Sequence, residues 1–374
     1  MKLLSLIYLV LATLLVGCIG KEEKRYNDCT TFSWKDMGTE IVLQGHELNL
    51  SEQITRPMRL SVSDSTLILL NNDTEDLVQL VDLNTEKKIG HYGTFGSGPA
   101  DLMTPRYVHK KDSSLFIYDS GLRRFNHYII DSDKVLKLKN STQFTYYFDD
   151  VIMLSDSILI ANVLDPRLKK ISYFQGNSML TTMGDYPLIE GGKFPLEGLA
   201  QLEGFASSLA WNTSKRKIAI VYKQTDLIEI YDETGRLKNR VQGPDIFFPS
   251  KSIKNIGNTQ KVTANIGEER DAYFSPVTTT DELFVLYSGL VYHPGDKNYL
   301  LDHLFVFDWN GKPLRQYKLD IPIFRFVIDE SSHTVYGLTD SPEFRIVRFN
   351  LELSVVIYGL TDKAENRIVP FYLL

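Results

Sequence analysis

The chain has 374 residues, with 41 Lys and Arg against 47 Asp and Glu and a formal net charge of −6. That balance lacks the basic footprint of a nucleic-acid binder, and 43% hydrophobic residues exclude a wholly disordered chain. Twenty Tyr and twenty Phe beside 14 Pro suit strands better than helical bundles.

Lys2 is followed by an apolar or small-residue run from Leu3 to Val16. A bilayer-spanning helix needs about 20 such residues, so this shorter run reads as the apolar part of a signal peptide. It ends in Leu15-Val16-Gly17-Cys18, which resembles the bacterial lipobox. The resemblance implies cleavage before Cys18 and acylation of its thiol, leaving 1–17 as signal peptide and 18–38 as a lipidated tether. Two acyl chains hold a protein stably at a membrane where one gives marginal binding. Lys21-Glu22-Glu23 is similar to the tag that sends lipoproteins of Bacteroidota to the outer face of the outer membrane, and reads equally as a solvated tether. The expected location is therefore the cell envelope, as an outer-membrane lipoprotein exposed to the periplasm or the surface. With Cys18 acylated, Cys29 is the only other cysteine, so neither an intramolecular disulfide nor a cysteine metal framework follows.

Beyond residue 38 a pattern repeats. Polar turns open apolar strands at Asp64–Leu70, Asp112–Tyr118, Asp156–Ala161, Lys215–Val221, Asp281–Tyr287 and Glu330–Tyr336. A strand precedes each, such as Arg59–Val62 or Phe324–Ile328. Two follow, such as Val306–Asp308 and Arg315–Leu319, joined by hairpin turns including Trp309-Asn310-Gly311. Four antiparallel strands recurring six times at roughly 45 to 65 residues predict an all-β, six-bladed β-propeller over 39–374. Helical periodicity is largely absent. For ring closure, Glu40–Leu48 is expected as an outer strand of the last blade, in competition with Ile368–Leu374.

The run Gly93-Thr94-Phe95-Gly96-Ser97-Gly98-Pro99, followed by Pro105, Leu115–Asp119 and Arg123–Phe125, resembles the six-bladed propeller lipoproteins of Bacteroidota, termed TolB-like or NHL-like. The resemblance covers about Thr39 to Asn350 and implies fold and envelope location more than activity.

Loops from a fourth strand to the next blade share one propeller face with loops from second to third strands. The long excursions, 183–207, 243–273 and 288–303, fall in those two classes, and such loops are where repeat scaffolds carry binding. They bring Tyr186, Phe194, Phe205, Phe247, Phe248, Tyr292, His293 and Tyr299, with Arg270 nearby. Each of these aromatics suits either ligand stacking or packing of its own loop. Where first strands begin, Arg59, Arg106, Asp149, Tyr273 and Arg325 are expected to ring the channel mouth, with Asp119 and Arg123 in an adjacent loop. Such a ring holds an anionic or polyhydroxylated ligand by charge-assisted hydrogen bonds, or forms ion pairs between blades.

The seven histidines form no zinc-hydrolase spacing, and no Gly-x-Ser-x-Gly elbow is present. Gly93–Gly98 lacks the Gly-Lys-Ser/Thr ending of a phosphate loop; its glycines are expected at positive φ in a tight turn. Asp64, Asp112, Asp156 and Asp281 are expected as turn residues capping their own backbone rather than calcium ligands. No cofactor and no metal is expected. The function these residues support is non-catalytic recognition of a glycan, peptide or envelope protein. The alternative is a propeller hydrolase or lyase with a metal in the axial channel.

Overall fold

The apolar runs behind the polar turns become the second strand of each blade: Thr66–Asn71, Ser114–Asp119, Ile158–Val163, Lys217–Tyr222, Glu282–Tyr287 and Thr334–Thr339. A second strand has a neighbouring blade on either side, so both of its faces are buried. Side chains alternate across a strand. Leu67 and Leu69 accordingly pack into the gap toward the sixth blade, while Ile68 and Leu70 pack toward the second. This is why the runs are continuously apolar instead of alternating. Outer strands alternate: Lys87–Tyr92 switches between exposed and half-buried at every residue.

The computed structural model describes residues 25–50, 54–72, 76–133, 135–189, 196–257 and 259–352. Cys18 and the expected signal peptide before it, Phe194 and the run 368–374 lie outside them. Six antiparallel four-stranded meanders follow one another at 57–92, 105–143, 148–183, 207–242 and 273–323, with the sixth begun at 325–350. Their first strands stand side by side around the axis, and the sixth meets the first. Each gap between adjacent blades holds its own apolar cluster. Removing a buried side chain there, as in Ile68→Ala, costs about 2–5 kcal/mol.

The amino-terminal segment lies along the rim of three blades. Thr30–Thr31 adds in parallel to the outer strand of blade four, with Thr30 opposite Val241. Glu40–Leu43 adds in parallel to blade five, with Glu40 opposite Gln316. Gly45–Glu47 then supplies the missing fourth strand of blade six, with His46 opposite Arg348. Closure by the early chain is therefore observed, but the expected strand is divided. Its first half belongs to blade five, where Leu43 is buried beside Leu319. Gly45 permits the second half: a Cβ there would stand 2.6 Å from Val347 Cγ1.

Two turn expectations are corrected. In the loop after blade one, only Gly93 has positive φ, at 93°. Gly96 and Gly98 instead make room for Asp101, whose Oδ2 would lie 2.4 and 2.7 Å from their added Cβ atoms and accepts from the Gly98 N–H at 2.7 Å. The turn aspartates Asp64, Asp156 and Asp281 reach lysines of neighbouring blades, pairing with Lys110, Lys111 and Lys215 at 2.8, 2.8 and 2.6 Å. Asp64 and Asp112 sit at φ of 50° and 53°, a region Asp tolerates better than most residues. One short helix, Gly198–Gly204, lies in the first long excursion, and a hairpin, Lys251–Ile256 with Thr259–Ala264, lies in the second.

Candidate functional site

The long excursions 183–207, 243–273 and 288–301 occupy the two loop classes of one face, as the meander order of every blade requires. On that face the first strands begin, and four of them begin irregularly. Their register to the second strand shifts between Pro57 and Arg59, Pro105 and Tyr107, Phe148 and Asp150, and Phe274 and Val277. A bulge bends its strand and re-aims a side chain. The result is a channel mouth lined by Arg59, Arg106, Asp149, Asp150, Lys223 and Arg325, with Ser208 and Ser275 between them. The cavity measures about 390 Å³, and its wall also includes Leu60, Val108, Leu209, Trp211 and Phe326 beside Ser61, His109 and Thr278.

Charge at the mouth is unbalanced. Asp149 is paired with Lys223 across the third and fourth blades at 3.0 Å. Asp150 accepts the Leu209 N–H at 2.8 Å; burial raises its carboxyl, opposed by that bond and by Lys223. Arg325 donates to Ser275 Oγ at 3.0 Å and to the Phe324 carbonyl at 2.9 Å, and Arg59 donates to the Met58 carbonyl at 2.8 Å. Among the described residues no carboxylate lies within ion-pair distance of Arg59, Arg106 or Arg325. Burial lowers Arg59, and Arg106 adds to the effect against the opposing pull of Asp150. Burial and the charge of Arg59 press Arg325 down to about 9, so it remains charged at neutral pH. Three guanidiniums, each with five donors in a rigid fork, converge from blades six, one and two, the arrangement that carboxylate and phosphate groups fit.

The remaining expected site residues are engaged in structure. Asp119 is fully buried and accepts the N–H groups of Met103, Thr104 and Leu122 at 2.5, 3.0 and 2.8 Å. It holds the loop between the first two blades. Arg123 donates to the Thr145 carbonyl at 3.2 Å and lies 4.7 Å from the Tyr147 ring centre. Arg270 pairs with Asp245 at 3.0 Å and covers the Phe247 ring at 4.6 Å. Tyr273 is fully buried and donates to the Gly243 carbonyl; past the bulge, Ser275 lines the mouth in its place. Tyr292 and His293 are exposed on the loop 288–301, outside the channel wall. Of the loop aromatics, Phe205 and Phe247 are buried and pack their own loops, while Tyr299 is exposed and donates to Asp340 at 2.7 Å. Asp150, Lys223, Ser208 and Ser275 were not singled out from sequence. Lys223 directly follows a second strand, which alone places it on the loop face.

The comparisons concern fold. Residues 32–331 match the family model described as TolB-like 6-blade propeller-like. The chain belongs to this TolB-like six-bladed propeller family. A solved structure of a DUF4221 family member from Bacteroides vulgatus is similar, with a TM-score of 0.55 and 9% identity over 88% of this chain and 98% of that one. A Bacteroides fragilis protein whose name marks it as exported gives a TM-score of 0.52 and 12% identity over 86% and 98%. No curated protein matches the sequence. Among the described residues no helix of this TolB-like chain is long and apolar enough to cross a membrane, and no three His, Cys, Asp or Glu side chains gather as metal ligands.

Proposed function

We propose that this TolB-like protein is a non-catalytic recognition protein of the cell envelope, lipid-anchored through Cys18. Its glycan, peptide or protein ligand places an anionic group at the channel mouth. One observation carries this reading: three arginines from three adjacent blades converge with no carboxylate at ion-pair distance among the described residues. A protein gains no stability by crowding like charges at one mouth; a site that receives an anion gains affinity from them. The long loops on the same face supply the wider contact surface. Positive charge at the mouth repels a cation, which favours recognition over a hydrolase built on an axial metal.

The test is thermal unfolding of the mature chain with added inorganic phosphate and glucuronate at constant ionic strength. A ligand at 100 times its dissociation constant adds about 2.7 kcal/mol of stability. The midpoint should rise with at least one of the two anions, and Arg59→Gln with Arg106→Gln should abolish the rise. No rise with either anion refutes the reading of the mouth. Metabolic labelling with palmitate, lost in Cys18→Ala, tests the anchor separately.

A further inference from the structure

A second cavity of about 410 Å³ opens between blades three and four on the same face. Asp149 lines both cavities, so the two adjoin at its side chain. Its wall is chiefly apolar, formed by Leu164, Leu199, Leu202 and Phe205. Leu164 is 52% exposed and Leu199 40%, leaving apolar surface in water that an occupant would remove. Lys170 also borders the cleft, but its ammonium is held by Glu229 and by the Tyr222 hydroxyl at 2.8 Å. Among the described residues the cleft therefore offers no free cation.

Among the described residues that line the cleft, Asn162 alone has a buried side-chain atom without a partner. It interrupts the apolar second strand of blade three, lines the cleft and is only 9% exposed. Its Nδ2 donates to Ser207 Oγ at 3.0 Å, yet its Oδ1 is buried with no hydrogen-bond partner. A buried amide oxygen left unpaired is costly and calls for a donor.

Resting on the reading of the mouth given above, we propose that the ligand is an anionic amphiphile. Its acid head sits among Arg59, Arg106 and Arg325, its apolar arm lies in the cleft beside Leu199 and Leu202, and an N–H or O–H at the junction donates to Asn162 Oδ1. The arrangement matches the usual make-up of a small-molecule site, an apolar cleft with a few convergent polar groups.

Calorimetric titration of the mature chain with N-octanoylglycine, N-acetylglycine and N-octanoylglycinamide separates the contributions. The octanoyl acid should bind about tenfold tighter or more than either of the other two, since the added methylenes and the charge each contribute. Leu202→Asp and, independently, Leu199→Ser should erase the advantage of the octanoyl over the acetyl acid. Asn162→Ala should weaken the octanoyl acid. If the two acids bind equally, the cleft takes no apolar arm and this proposal fails while the mouth reading stands. If the neutral amide binds as well as the acid, the head does not lie among the arginines and this proposal fails. Binding by none of the three also overturns it, and the mouth reading then stands or falls on the response to phosphate and glucuronate alone.

Discussion

Replacing Arg325 by Gln should make the protein more stable. The side chain sits at the channel mouth beside Arg59 and Arg106 with no carboxylate at ion-pair distance among the described residues. A fall from the ordinary 12.5 to about 9 corresponds to roughly 4–5 kcal/mol at about 1.36 kcal/mol per pH unit. That figure is an upper bound, because water enters the open mouth and screens the charges. Gln also keeps one of the two hydrogen bonds that Arg325 makes, to Ser275 or to the Phe324 carbonyl. The net gain in urea unfolding at pH 7 is expected at about 1–2 kcal/mol. The sign follows from linkage: between 9 and 12.5 the unfolded chain holds the proton more tightly, so the folded state bears the cost of the charge at every pH below 9. Phosphate should narrow the difference, stabilising the parent chain more than the variant. If Arg325→Gln instead loses more than about 1 kcal/mol, the guanidinium is a structural tie and the argument for an anion site collapses.

Three further outcomes follow from groups outside the mouth. Glu229 is fully buried and accepts from Lys170, Tyr222, Tyr231 and Arg240; Glu229→Gln should cost about 3–5 kcal/mol in urea unfolding by leaving buried cations uncompensated. Burial would raise this carboxyl, but Lys170 and Arg240 overcome it and bring it down to about 2. Its contribution is therefore present above the ordinary 4.5 and lost as pH falls toward 2, so parent and variant should converge in acid. Burial, reinforced by Glu269, pushes Asp271 up to about 6. Asp271→Asn should then stabilise by about 1 kcal/mol at pH 7.5 and have little effect at pH 3, because the cost of the charged form is absent below the ordinary 3.8, grows as pH rises from there and is complete above 6. Asp119→Ala strips three backbone N–H groups of their acceptor; a loss of about 2–3 kcal/mol is expected in thermal unfolding.

The propeller was legible because its second strands are apolar on both faces and each follows a polar turn, so the six runs stand out from the chain. The rim was less so. Strand addition by Glu40–Leu43 and Gly45–Glu47 uses backbone hydrogen bonds and carries little side-chain pattern, so one expected strand proved to be two on different blades. Arg59, Arg106, Asp149 and Arg325 could be placed at the mouth because each stands near the start of a first strand. Position on a face does not reveal whether a partner is already present: Arg270 had Asp245 and Phe247, and Asp119 had three backbone donors. Ser275 was hidden by a bulge, which shifts by one or two residues the side chain that reaches the axis. Asn162 went unremarked because the run read from the sequence ended at Ala161, and only the packing shows that half of its amide lacks a partner.

The early chain joins blades four, five and six in succession along their outer edges. Any pull delivered from before Arg25 therefore reaches blade four first, where Tyr26 is buried and bonded to Thr225. The seam at Gly45–Glu47 lies two attachments further along and is shielded from that load. A ring pulled by its early chain would strain at its fourth blade before it opened at its closure.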